Sequence, residues 1–172
     1  RAIGANSALA GAGAPVCAAA LSLPPLRLAT CMRVQDALDE GISLFMAELQ
    51  RLRLVVERAR STPGTGQALL YLLDEMLQGT NTAERQVAAR HILGHLLEAG
   101  AIGAVTTHDL ALADSSELSG RAVPVHFRER VESEEGRTVL HFDYQLRPGP
   151  ATSRNALRLL EAVGLGRAAP PD

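Results

Sequence analysis

This sequence contains no lysine and no tryptophan, and all 17 of its basic residues are arginine. The missing lysine has a direct chemical consequence. A phosphate-binding loop of the form G-x-x-x-x-G-K-[ST] sets a lysine on the β- and γ-phosphates, so these 172 residues cannot contain one. Aromatic residues make up only 3% of the chain, too few for a surface that stacks bases. A net charge of −2 gives no basic face for a nucleic-acid backbone. The two cysteines, Cys17 and Cys31, form no metal or redox motif, and a reduced, cytoplasmic setting is the default. Long apolar runs are missing too. Residues 2–21 come nearest, but Asn6, Ser7, Pro15 and the glycines among them argue against a membrane span. A secretory signal fits poorly as well, because no basic region leads a leucine-rich core.

What is present is a chain 47% hydrophobic and 21% charged, the composition of a globular domain with a substantial core. Its most informative stretch is LLYLLDEMLQGTNTAER at 69–85. An apolar run ends in two adjacent carboxylates, Asp74 and Glu75, followed by a Gly-Thr-Asn-Thr turn. A short apolar run bounded by turn signals suits a strand buried on both faces of a parallel sheet. Ligands in such sheets bind at the carboxyl ends of the strands. There one carboxylate can hold a divalent cation and the other can orient or deprotonate a water. This is the Walker B arrangement of nucleotide hydrolases. The competing reading is that Asp74 and Glu75 merely close a strand and open a solvated turn.

Around this stretch the pattern alternates. A small-residue helix is expected over 2–10, broken at 11–15, and a strand over 26–34. A polar turn follows at 35–41. Apolar residues at three- and four-residue steps predict a helix over 43–60, and 61–67 reads as a loop. Asn81 and Glu84 have capping-box spacing for a helix over 82–99, with Gly100 as its stop. Residues 102–107 read as a second short apolar run, a strand ending in the polar Thr106, Thr107, His108 and Asp109. Strand, helix, strand is a βαβ unit. Residues 123–131 and 139–146 suit a hairpin about a charged turn at 132–137. Thr152 or Ser153 can cap a last helix ending near Gly164, and 166–172 reads as a flexible tail.

Taken together, these blocks resemble the C-terminal ATPase domain of MutS-family DNA mismatch repair proteins, a relative of the ABC-type ATPases. LLYLLDE at 69–75 looks like Walker B and GTNTAER at 79–85 like the D-loop. VTTHDLA at 105–111 is similar to the switch-histidine strand end. DALDEGISLFMAEL at 36–49 is similar to the family's signature segment, with its Gly-x-Ser-x-Phe-Met-x-Glu. The resemblance covers 1–165. Arg1 resembles the arginine that follows the family's phosphate loop, so the chain reads as a piece beginning just after that loop. The family's glutamine is absent near 13–18, and Asn81 stands where many relatives carry Ser or Asp.

The resemblance implies an α/β fold, a P-loop NTPase (ABC-ATPase-like) sandwich with a mostly parallel central sheet and flanking helices, lacking its phosphate-binding loop. It implies ATP and Mg²⁺ as cofactors, with Asp74 holding Mg²⁺ through water, Glu75 as general base and His108 reporting on the γ-phosphate. Gly41 and Ser43 would contact the nucleotide of an opposite subunit, and Gly79, Thr80 and Asn81 would line the interface of a homodimer. DNA would be bound by domains absent from this chain, and no membrane is involved. Each role has a plainer competitor: a strand-end histidine satisfied by backbone, a serine N-cap, ordinary turn chemistry. His91 and His95 stand four apart on one helix, but no adjacent glutamate completes a zincin pattern. Arg51, Arg53, Arg58 and Arg60 read as a solvated helix face. A different class of function stays open, a non-catalytic dimerisation or scaffold module without Walker A. An ABC transporter subunit is disfavoured, because GISLFMAEL stands in place of LSGGQ.

Overall fold

A computed structural model describes residues 1–32, 43–113, 115–134 and 137–151, with the backbone alone for 129–134 and 137–140. The chain divides into two compact units, Arg1–Arg121 and Ala122–Asp172. The first is a mixed α/β unit. Helix α1 (Ala2–Gly11) leads to strand β1 (Leu26–Met32), helix α2 (Leu44–Ser61), strand β2 (Ala68–Asp74), helix α3 (Thr82–Glu98), strand β3 (Ile102–Thr106) and the short helix α4 (Leu110–Ala113). The three strands form one sheet in the order β1-β2-β3, parallel throughout. Parallel neighbours need crossovers, and α2 and α3 supply them.

The register explains why the sheet has two different faces. Ala29 stands beside Tyr71 and Cys31 beside Leu73, and Tyr71 stands beside Gly103. These side chains share one face by strand alternation. Ala29, Cys31, Tyr71 and Leu73 are buried in one cluster with Leu52, Val55 and Ala59 of α2 and Leu93 and Leu96 of α3. Leu72 points the other way, and its Cδ1 lies only 2.8 Å from where a Cβ on Gly4 would sit. Helix α1 therefore approaches the second face through small residues, with Gly4 and Ser7 buried. Gly103 has a similar role inside the sheet, where a Cβ would fall 2.2 Å from the Tyr71 carbonyl oxygen. Among the described residues no strand pairs with the outer edge of β3, and Ile102 at its start is 51% exposed.

Both crossover helices begin and end where their residues direct. Ser43 caps α2 by accepting the Met46 N–H, and Asn81 caps α3 by accepting the Glu84 N–H at 3.0 Å. The Glu84 carboxylate takes the Thr80 hydroxyl instead of completing the reciprocal half of a capping box. Helix α3 closes on Gly100 at φ +69°, with the Ala101 N–H reaching the Leu96 carbonyl and the Gly100 N–H that of Leu97. That is a Schellman closure, with Leu96 and Ala101 both buried against the core.

The second unit holds two antiparallel pairs. Strand β4 (Val125–His126) pairs with β7 (Arg147–Pro148), and β5 (Glu129–Glu134) with β6 (Arg137–Phe142). The hairpin is narrower than the expected turn at 132–137, since Glu132, Ser133 and Glu134 lie in the ladder. Backbone bonding in a ladder is indifferent to side-chain polarity, so a charged run is a weak turn signal. The expected turn at 35–41, the closing helix and the tail lie outside the described residues.

Candidate functional site

The carboxyl ends of β2 and β3 meet at one edge of the sheet, with Asp74 directly beside Thr106. Every contact of the site grows from that register. The Thr106 hydroxyl donates to Asp74 Oδ1 at 2.6 Å, while the other oxygen, Oδ2, accepts from the Arg1 guanidinium at 2.6 Å. The hydroxyl of Thr106 and then the Arg1 guanidinium hold the Asp74 carboxyl below the ordinary carboxylate value. The backbone of Glu75 is tied to the same strand end, its N–H lying 3.1 Å from the Thr106 carbonyl and 3.2 Å from the Thr106 hydroxyl.

Beyond Asp74 the chain leaves the sheet sharply. Glu75 has φ +50° and Leu77 φ +64°, a left-handed conformation that side chains other than glycine adopt at a cost. The turn throws the Glu75 side chain toward β3. One carboxylate oxygen lies 2.7 Å from His108 Nε2, and the other accepts the Gln78 side-chain amide at 2.6 Å. His108 is otherwise exposed to solvent, and its ring is paired with a carboxylate rather than with backbone. The loop that carries it is braced by Asp109, which accepts from the Gln86 side chain at 2.8 Å and from the Ala111 N–H.

Two recesses flank Glu75. One, of about 270 Å³, is lined by Arg1, Leu44, Glu48, Asp74, Glu75 and Gln78. The other, of about 430 Å³, is lined by Glu75, Gln78, Arg85, Thr107 and His108 among others. Helix α1 starts at the first recess, because Arg1 is its N-cap. Unsatisfied N–H groups and the helix dipole make such a start favourable for an anion.

Asp74, Glu75 and His108 are thus gathered at one edge. Gly79, Thr80 and Asn81 follow directly, with the Gly79 backbone so close to α2 that a Cβ there would sit 2.7 Å from the Phe45 nitrogen. Ser43 caps α2 while its neighbour Leu44 reaches the recess. Gly41 lies outside the described residues. Away from this edge, His95 is engaged with Arg60 and Glu98, and Arg53 with Glu57. Thr106, Gln78 and Glu48 were assigned no role from sequence. The signal for Thr106 was its register with Asp74. The signal for Glu48 was its place as the closing glutamate of the Gly-x-Ser-x-Phe-Met-x-Glu segment.

The model of MutS domain V matches residues 1–168. The chain belongs to the MutS family. Relatives in that family include the DNA mismatch repair protein MutS 2 of Haloarcula marismortui, 34% identical over 160 residues, 91% of this chain and 16% of that protein. The endonuclease MutS2 of Thermomicrobium roseum is 30% identical over 131 residues, 76% of this chain and 15% of that protein. This MutS domain therefore spans less than a fifth of the length of either relative.

Proposed function

We propose that residues 1–165 form the C-terminal portion of an ATPase domain in a cytoplasmic MutS-like mismatch repair or recombination protein. The observation that carries this reading is the meeting of Asp74, Glu75 and His108 at the carboxyl ends of two adjacent parallel strands. The donor set fits the cofactors. Carboxylate and hydroxyl oxygens suit Mg²⁺, which keeps several waters and leans on one or two carboxylates. The start of α1 and the Arg1 guanidinium suit phosphate oxygens.

In this reading Asp74, kept ionised by Thr106 and Arg1, holds the metal through water. Bound Mg-ATP supplies the phosphoryl group and the charge that neutralises it as it transfers. Glu75 takes the proton of the attacking water, and His108 holds Glu75 in place and senses the phosphate. Ser43 and Gly41 reach the nucleotide of a second copy across a homodimer lined by Gly79, Thr80 and Asn81. ATP favours the closed dimer over the open one, and that population shift is passed to domains that bind DNA.

The test is Glu75→Gln in a protein carrying this domain together with a phosphate loop. Nucleotide binding persists, and single-turnover hydrolysis slows by roughly 10²- to 10⁴-fold, the usual worth of a general base. Unchanged turnover would remove Glu75 from that role. A second reading, a non-catalytic dimerisation module, is favoured by one observation: Thr106 and Arg1 already engage both oxygens of Asp74. A lysine-bearing phosphate loop encoded ahead of Arg1 would rule it out, and its absence from the gene would favour it.

A further inference from the structure

Glu48 is a buried carboxylate, 6% exposed, on the core-facing side of α2. A buried charge is costly unless it is hydrogen-bonded. The hydrogen-bond partners of Glu48 among the described residues are backbone amides. One Glu48 oxygen faces the Gln78 N–H at 3.4 Å and the other faces the Gly79 N–H at 3.3 Å. Two consecutive amides of the turn after β2 therefore point into one carboxylate from a different helix. The same turn is pressed against α2 at Gly79, beside the Phe45 backbone. Gln78, whose main chain is held from one side, sends its side-chain amide to Glu75 on the other.

We infer that Glu48 is a positioning residue, a clasp that fixes the 78–79 turn against α2 and through Gln78 sets where the Glu75 carboxylate lies. The inference extends the proposed ATPase reading, since it supplies what aims the general base. It also links the helix capped by Ser43 to the turn leading into Asn81. The left-handed residues Glu75 and Leu77 make such a clasp necessary, because strained backbone persists only where its surroundings hold it.

The test reads the clasp directly on this chain, by amide hydrogen exchange and by the side-chain amide signal of Gln78. Glu48→Gln keeps the shape and one acceptor oxygen, and Glu48→Ala removes both. Exchange at Gln78 and Gly79 is expected to speed up about tenfold or more in Glu48→Ala and less in Glu48→Gln, as a bond to a charged group implies. Amides of β2 should keep their protection, and the Gln78 side-chain signal should shift as its hold on Glu75 loosens. Unchanged exchange at 78 and 79, or an equal loss of protection throughout β2, would overturn the clasp. An unmoved Gln78 side chain beside faster exchange would overturn its link to Glu75. None of these readouts requires hydrolysis. A failed ATPase reading, seen as wild-type protein with a phosphate loop that does not hydrolyse ATP, is therefore told apart from a failed clasp.

Discussion

Thr106 shows how much one hydroxyl carries. It donates to Asp74 and accepts from the Glu75 N–H, so it joins the side chain of one acidic residue to the backbone of the next. Thr106→Val keeps the shape and removes both bonds, at a cost of about 1 kcal/mol near neutral pH. The pH dependence follows from the sign of the shift. Asp74 titrates below 3.8 in the folded protein, with the Thr106 hydroxyl as the first cause. Its stabilisation is present above the ordinary carboxylate value and is lost as pH falls through the folded value. Urea unfolding of the two proteins should show a gap at pH 6 that narrows in acid. A constant gap would mean that Thr106 acts by packing alone. Cys31 behaves in the opposite sense. Burial, and then the nearby Glu48 carboxylate, push its thiol up to about 11 against a weaker pull from Arg51. The stability it contributes is full below the ordinary value of 9.0 and falls as pH rises toward 11.

The elements were legible where periodicity and caps agree. The apolar run 69–73 became the most buried strand of the parallel sheet, and the three- and four-residue steps after Ser43 became α2. Asn81 and Gly100 mark the ends of α3 as a sequence reading predicts. The helix α4 was not foreseen, because four residues give no period and its start is fixed by the Asp109 side chain. In the candidate site, Asp74, Glu75 and His108 were visible as strand-end residues. Gln78 was not, since nothing local marks a glutamine that turns back on Glu75, and Glu48 was visible only as the closing glutamate of the signature segment, with no sign of its partner amide 31 residues away. Asn81→Ala should cost about 1 kcal/mol in denaturant unfolding, the worth of one N-cap. Gly79→Ala should cost more, because its methyl group would meet Phe45 backbone rather than a movable side chain. Equal losses in the two variants would show that the turn can move away from α2.

For the chain as a whole, the lack of lysine governs what it can do alone. Its one described cation beside Asp74 is Arg1, and the amides of a phosphate loop are not supplied by any segment of this sequence. Isothermal titration of the isolated chain with Mg-ATP should therefore show no binding in the micromolar range. A tight, Mg-dependent site would refute the view that phosphate recognition needs sequence beyond these residues. Among the described residues no helix is long and apolar enough to cross a membrane.

The outer edge of β3 has a consequence for handling the chain. Five residues, Ile-Gly-Ala-Val-Thr, present backbone N–H and C=O groups along a border without a charge or a proline. Such a border is a template that any extended peptide can join, and charge or proline is what usually keeps it closed. Among the described residues this edge is open to a strand acceptor role, and an added extended peptide that pairs along it should slow amide exchange at 102–106.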